Sequence, residues 1–240
     1  MYYKKLYLQD MGGLTVNGNK RIKRGLIFRS NDLNRITEKE IKRLEAIPIK
    51  HIVDLRQKRY VYKYPDKYIA EVVTHLPVEA AEFKGVTPLK IFLRKVDWDS
   101  YHLDEIYITM FKQNKEKVGK FFHALLDRPR PTLVHCTAGK DRAAVFTALF
   151  QFVLGASLQD ILNAYEKIQD HLEENLFFYI KALSKITPLP DLVLSIDVKN
   201  LENLLSYIEK EFGSTEKFLK DIGFERLDEL KEVYLEEIEP

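Results

Sequence analysis

The chain has 240 residues, of which 45% are hydrophobic and 31% are charged. This composition suits a globular domain with a sizeable core and excludes a disordered or collagen-like chain. The 38 basic and 36 acidic residues leave a formal net charge of +2, so we expect no nucleic-acid partner. A single cysteine, Cys136, excludes an internal disulfide and favours a reducing compartment.

Two absences bear on the location of the protein. No stretch approaches about 20 consecutive apolar residues, so no integral membrane segment is predicted. The first residues lack the apolar run of a signal peptide. We therefore expect a cytoplasmic protein and leave open its secretion without a signal. The sequence also leaves the oligomeric state open.

Strand and helix patterns alternate in the first third of the chain. Thr37 followed by Glu40 is a capping box, and it predicts a helix that ends at Pro48. Asn17-Gly18 predicts a turn. Short apolar runs typical of buried strands occupy Leu26–Phe28, Ile49–Leu55 and Val72–Leu76.

Helical patterns dominate the rest of the chain. Residues 84–114 are rich in large apolar side chains, which indicate either ordinary core or a helical lid insertion over a site. A buried strand is predicted at Thr132–Val134, and an apolar helix begins near Arg142. The C-terminal part, 187–240, has helical patterns at 199–211, 214–222 and 225–238. Together the patterns predict a single α/β domain over 1–240, with a mostly parallel central sheet flanked by helices.

The most informative segment is His135-Cys136-Thr137-Ala138-Gly139-Lys140-Asp141-Arg142. It lies where a strand leads into a helix, the position at which ligands bind in α/β sheets. A loop of small residues there can turn its backbone N–H groups inward and form an anion-binding nest, to which the helix N-terminus adds a positive dipole. A guanidinium such as that of Arg142 can bind two phosphate oxygens at once. The segment therefore predicts a phosphate site.

Cys136 stands at the base of this predicted cradle. A lone cysteine is more often a buried, inert side chain, but positive surroundings at a helix N-terminus favour the reactive thiolate. A thiolate that faces a bound phosphoryl group can attack it and form a phosphocysteine intermediate. We therefore predict that Cys136 is a nucleophile.

The same segment resembles the H-C-x5-R signature of cysteine-dependent phosphatases, and its Gly-Lys-Asp-Arg ending is similar to a bacterial tyrosine phosphatase family. Further similarities to that family lie at Asp10–Gly13, Arg24–Ser30, Val53–Arg56 and Phe212–Gly223. The resemblance thus covers most of the chain. It implies a phosphatase-like fold and an enzyme that hydrolyses phosphomonoesters without a cofactor or metal ion.

The resemblance also implies roles for the loop residues. Cys136 becomes the nucleophile, Arg142 binds phosphate, and the backbone of Thr137, Ala138, Gly139, Lys140 and Asp141 cradles it. The Lys140 side chain adds a second cation, a feature linked in this family to phosphoinositide as well as phosphotyrosine substrates. The expected partner is therefore a phosphotyrosine protein or a phosphoinositide, with phosphoserine as a further substrate. His135 is expected to support the loop by hydrogen bonding.

The general acid has several candidates. The match at Val53–Arg56 implies that Asp54 protonates the leaving group, although an aspartate at a strand end can also be a simple cap. Asp141, inside the loop, is the rival acid or an orienting group. Weaker rivals are Asp97, Asp99 and Asp104.

Departures from the family pattern keep a second class of function open. Ala143 stands where a Ser or Thr usually assists phosphocysteine hydrolysis, so breakdown of the intermediate is expected to be slow. Gln9 stands where an Arg commonly precedes the aspartate of the early motif, and no Glu follows Asp54-Leu55-Arg56 within the next few positions. The alternative is a catalytically weak phosphate-binding module. A rhodanese-like transferase leaves the matches at 10–13 and 53–56 unexplained.

Overall fold

The computed structural model describes residues 6–79, 105–172 and 196–238. In chain order, the strands are β1 (Leu8–Asp10), β2 (Thr15–Val16), β3 (Lys20–Ile22), β4 (Ile27–Ser30), β5 (His51–Asp54), β6 (Val72–His75), β7 (Thr132–His135) and β8 (Leu235–Glu237). The helices are α1 (Glu38–Glu45), α2 (Lys58–Lys63), α3 (Ile106–Gln113), α4 (Lys115–Asp127), α5 (Arg142–Val153), α6 (Leu158–Glu166), α7 (Val198–Phe212), α8 (Thr215–Asp221) and α9 (Leu227–Tyr234).

A five-stranded sheet with the order β1-β4-β7-β5-β6 organises the fold. The last four strands in this order run parallel, and β1 pairs antiparallel with β4 at one edge. The register aligns Ser30, His135, Asp54 and His75 at the carboxyl ends of the parallel strands. The expectation of an α/β fold with a mostly parallel central sheet is thereby confirmed, and β7 leads into the Cys136 loop from the middle of the sheet.

Strands β4, β5 and β7 are buried on both faces, which explains their continuous apolar runs, whereas the edge strand β6 exposes Val73. Successive residues alternate between two clusters: Val134 of β7 joins the larger one, and Leu133 joins the smaller one beneath α1. Helices α3 to α9 contribute to the larger cluster, including Phe218 of α8 and Tyr234 of α9. The helix predicted after Thr37 is confirmed as α1, with both bonds of the capping box present.

The C-terminal segment differs from its prediction. The helical pattern at 225–238 ends at Tyr234, and β8 follows it and pairs antiparallel with β3. Ion pairs join Lys20 to Glu237 and Arg21 to Glu236 across these strands. This pairing depends on residues more than 200 positions away along the chain, which a local periodicity does not register. The predicted Asn17-Gly18 turn is confirmed, with positive φ at both residues between β2 and β3.

The predicted lid falls largely on residues outside those described. Its described part, from residue 105 onward, includes α3, whose Tyr107, Met110 and Phe111 are buried in the larger cluster. These contacts favour the ordinary-core interpretation for α3. In the three described ranges, no helix is long and apolar enough to cross a membrane.

Candidate active site

The loop after β7 surrounds the sulfur atom of Cys136. This side chain is buried, and the backbone N–H of Gly139 donates a hydrogen bond to Sγ over 3.3 Å. A backbone N–H aimed at sulfur, together with the N-terminus of α5 at Arg142, stabilises negative charge there. The loop therefore places a backbone hydrogen-bond donor at the sulfur.

Gly139 allows the loop to pass very close to the end of β4. Its φ is +74°, and an added Cβ would lie 2.8 Å from the carbonyl oxygen of Ser30. Nearby, the Asp32 N–H donates to the carbonyl of Thr137 over 3.2 Å. Only glycine meets both the steric and the conformational demand at position 139.

Arg142 connects the loop to the neighbouring strand β5. Its Nη1 donates to the carbonyl of Leu55 over 3.3 Å, and its Nη2 donates to Oγ1 of Thr137 over 3.1 Å. Because the guanidinium has five N–H donors, these two bonds leave donors for a phosphate. The geometry thus holds the cation beside the cradle.

Asp54 lies in an environment unlike that predicted for a general acid. Its side chain is buried, and Arg56 binds both of its carboxylate oxygens, over 2.9 Å and 2.7 Å. Burial opposes ionisation of this carboxyl, but the hydrogen bonds from Arg56 outweigh it, so the pKa of Asp54 lies below its ordinary value. An acid must hold a proton at the working pH, and the lowered pKa of Asp54 disfavours this role.

The Arg56 guanidinium also binds Asp66, over 2.6 Å, and packs near the ring of Tyr60. The two carboxylates share one cation, and burial raises the pKa of Asp66. Arg56 has no exposed side-chain surface. This buried network holds the backbone after β5 in place beneath the loop.

His135 is also part of this buried region, and its support of the loop by side-chain hydrogen bonding stays a prediction. Its Nε2 lies 3.4 Å from Asp66 and 3.7 Å from Asp54, yet within the described ranges neither ring nitrogen makes a hydrogen bond. Burial lowers the pKa of His135, which favours the neutral ring. The loop is supported through the backbone, where the Leu55 N–H donates to the His135 carbonyl over 3.0 Å.

Two carboxylates and an imidazole lie close enough together to be considered as a metal site. They belong to Asp54, Asp66 and His135, whose ligand atoms are within 4.8 Å of one another. However, Arg56 already bonds both carboxylates. A metal ion would have to displace a fully buried guanidinium, so this donor set fits an ion-pair network better than a metal centre.

Asp141 lies at the opposite side of the loop and has a side chain that is 40% exposed. Its Oδ1 accepts hydrogen bonds from Tyr107 over 2.9 Å and from Lys140 Nζ over 3.2 Å. In the described part of the chain, no hydrogen bond is found for its Oδ2. The rivals Asp97, Asp99 and Asp104 lie outside the described residues.

Sequence reasoning missed the residues that surround these groups. Tyr107 and Tyr165 meet at the loop although they are 58 positions apart. Tyr60 donates to Asp32 over 3.1 Å, and burial raises the pKa of Asp32. The apolar side chains in 84–114 indicated either core or lid for the α3 region, but no local signal shows which hydroxyl meets which carboxylate.

Two departures noted in the sequence have structural outcomes. Gln9 accepts a hydrogen bond from the buried Arg29 over 2.6 Å and donates to the carbonyl of Ala164, so it organises the interior. Asp10 bonds the backbone N–H groups of Gly12 and Gly25. Ala143 is fully buried in the first turn of α5.

The model of the tyrosine phosphatase family matches residues 8–236, and the chain belongs to this family. A Cupriavidus necator protein, described provisionally as a tyrosine-protein phosphatase, is 24% identical over 229 residues, which cover 89% of this chain and 80% of that protein.

Two solved structures have weaker similarity. P. aeruginosa TpbA in complex with phosphotyrosine is 15% identical, with a TM-score of 0.32, and the match covers 62% of this chain and 72% of that one. The core catalytic domain of the S. cerevisiae phosphatase SIW14, in complex with citrate, is 14% identical, with a TM-score of 0.36 and coverages of 65% and 74%. Scores this low carry no inference about substrate.

Replacing the buried guanidinium tests the ion-pair network. We expect Arg56→Met to lower the free energy of unfolding by about 3–5 kcal/mol at pH 7, because it leaves two buried carboxylates without a cation. The pKa of Asp54 is lowered in the folded wild type, so its ionised form stabilises the fold. This stabilisation is complete at pH values above the ordinary aspartate pKa of 3.8 and is lost as the pH falls below it. Urea unfolding at several pH values, from pH 7 to below the ordinary aspartate pKa of 3.8, measures both effects.

The difference in the free energy of unfolding between Arg56→Met and the wild type should become smaller as the pH falls. At lower pH the two carboxylates that have lost their cation can take up protons. Arg226→Met is the matched control, because Arg226 pairs with Asp127 and Glu229 on the surface and should change stability little at any pH. A difference that stays constant with pH would contradict the role given to Arg56.

Proposed function

We propose that this protein hydrolyses phosphotyrosine in proteins through a phosphocysteine intermediate and without a metal ion. The proposal rests on the position of Cys136 Sγ. This atom lies at the base of the loop between β7 and α5 and accepts a hydrogen bond from the Gly139 N–H. Membership of the tyrosine phosphatase family supports the same chemistry.

The reaction would proceed in two steps that both use the sulfur. The Cys136 thiolate attacks phosphorus, the bond to the tyrosine oxygen breaks, and the leaving oxygen takes a proton from an acid. Water then attacks the phosphocysteine and returns a proton to the ionised acid, the sulfur leaves as a thiolate, and inorganic phosphate departs. The backbone N–H groups and Arg142 would stabilise the oxygens that carry charge in both steps.

Asp141 is the better candidate for the acid. Its Oδ1 already accepts two hydrogen bonds, from Tyr107 and Lys140, so Oδ2 is the oxygen that can hold a proton. The side chain is partly exposed in the same loop as Cys136, whereas Asp54 is buried and bound to Arg56 through both oxygens.

Phosphoinositides form the second substrate class of the proposal. Lys140 places a second cation in the same loop as Arg142, and its Nζ contacts Asp141 over 3.2 Å. A phosphate-binding module with little turnover is the alternative of a different class. The buried Ala143, which offers no hydroxyl to the departing sulfur, is the feature that favours this alternative.

Replacement of the nucleophile separates turnover from binding. We expect Cys136→Ser to abolish phosphate release from a phosphotyrosine peptide and from phosphoinositides, because a hydroxyl is not ionised at neutral pH. The variant should still bind vanadate in calorimetry, since the N–H groups and Arg142 are unchanged. Arg142→Ala should lose both binding and turnover.

The wild type should keep its activity in the presence of a chelator. Substantial turnover by Cys136→Ser, or loss of wild-type activity on chelation, would overturn the proposed mechanism. Vanadate binding without turnover by the wild type would instead support the phosphate-binding module.

The acid is tested with leaving groups of different basicity. Asp141→Asn should slow phenyl phosphate hydrolysis by roughly 10²–10⁴-fold and dinitrophenyl phosphate hydrolysis far less, because only the poor leaving group needs a proton. Asp54→Asn should affect both substrates equally, through its structural role. The reverse pattern would return the role of acid to Asp54.

A further inference from the structure

Two buried tyrosines join Asp141 from helices that are distant in the sequence. Tyr107 of α3 lies with its hydroxyl 2.9 Å from Asp141 Oδ1 and 2.7 Å from the hydroxyl of Tyr165 of α6. The two rings meet edge to face, with centroids 6.5 Å apart. Both side chains are fully or almost fully buried, so each hydroxyl depends on the protein for its hydrogen bonds.

The directions of these hydrogen bonds follow from the chemistry of the groups. An ionised carboxylate only accepts, and Asp141 Oδ1 lies 2.9 Å from the Tyr107 hydroxyl, closer than the Lys140 carbonyl at 3.4 Å, so Tyr107 donates its single proton to Asp141. Tyr165 must then donate to the Tyr107 oxygen. Burial raises the pKa of both tyrosines above the ordinary value, so both remain protonated and able to donate.

We propose that Tyr107 is a positioning residue that restricts the catalytic proton to Oδ2 of Asp141. This inference rests on the proposed role of Asp141 as the acid. If the proton were on Oδ1, it would face the Tyr107 O–H and the Lys140 ammonium, both of which are donors. With the proton on Oδ2, Oδ1 is a carbonyl oxygen and accepts both bonds.

The arrangement suits a group that changes its protonation state twice in each cycle. Oδ1 accepts from Tyr107 whether Asp141 is ionised or protonated, so neither tyrosine has to reorient between the two steps. Preorganised donors of this kind avoid a reorganisation cost at the moment of reaction. The same hydrogen bond holds the carboxyl in one orientation toward the loop.

A buried cation, Arg29, lies near the ring of Tyr165. Its guanidinium is buried, 5.9 Å from the centre of the Tyr165 ring and 5.6 Å from that of Tyr7. Its hydrogen-bond partners in the described ranges are neutral: the Tyr7 hydroxyl and the Gln9 amide oxygen. A cation near Tyr165 favours donation of its proton toward Tyr107 and hence toward Asp141.

The test uses Tyr107→Phe, which removes the hydroxyl and keeps the ring. We expect kcat/KM to fall roughly 10–100-fold for phenyl phosphate and less than about 3-fold for dinitrophenyl phosphate, because a misplaced acid matters only where a proton is needed. Tyr165→Phe should give a smaller loss with the same dependence on leaving group. Tyr234→Phe is the control, since it removes a buried hydroxyl that bonds Leu125 and should change neither rate.

A double-variant cycle shows whether Tyr107 acts through Asp141. Adding Tyr107→Phe to Asp141→Asn should cause little further loss, because the group that it positions is already disabled. An equal loss on both phosphates would make Tyr107 merely structural and overturn the proposal, as would full additivity. If Asp141→Asn alone shows a leaving-group effect and Tyr107→Phe does not, the proposed acid stands and the positioning role fails. Absence of that effect in Asp141→Asn itself would overturn both.

Discussion

The close passage of Gly139 beside the Ser30 carbonyl is the constraint on which the candidate site depends. The central position of β7 forces the loop after it between the ends of β4 and β5. A Cβ at position 139 would lie 2.8 Å from that carbonyl oxygen, so the loop can take its course only with glycine there. Its N–H then faces Cys136 Sγ, and the loop enters α5 at Arg142. The topology of the sheet therefore also determines which backbone N–H group faces the sulfur.

Two aspartates near the loop, Asp54 and Asp141, lie in different environments. Asp54 is buried, Arg56 bonds both of its oxygens, and its pKa lies below the ordinary value. Asp141 is partly exposed, and its hydrogen bonds converge on one oxygen. We therefore propose Asp141, and not Asp54, for proton transfer. Position in a motif does not distinguish the two.

Local patterns predicted much of this molecule because they reflect local physics. The capping box at Thr37, the buried strand before His135 and the helix after Arg142 each depend on neighbours in sequence, and each is confirmed. The pairing of β8 with β3 depends on distant partners and was not predicted. The same holds for the site: the loop could be recognised as a contiguous motif, whereas the ion pair of Arg56 with Asp66 and the contact of Tyr107 with Asp141 arise only when the chain is folded.

The central claim is that the sulfur of Cys136 carries the phosphoryl group during turnover, and the most direct measurement is acid-quench trapping of that intermediate. Because Ala143 supplies no hydroxyl to assist the departing sulfur, breakdown of the intermediate should limit turnover. A rapid-quench experiment with an aryl phosphate should therefore show a burst of leaving group that approaches one equivalent per enzyme. Mass spectrometry should find the phosphoryl group on the peptide that contains Cys136. Turnover with no phosphate on that peptide, or with phosphate on another side chain, would contradict the account.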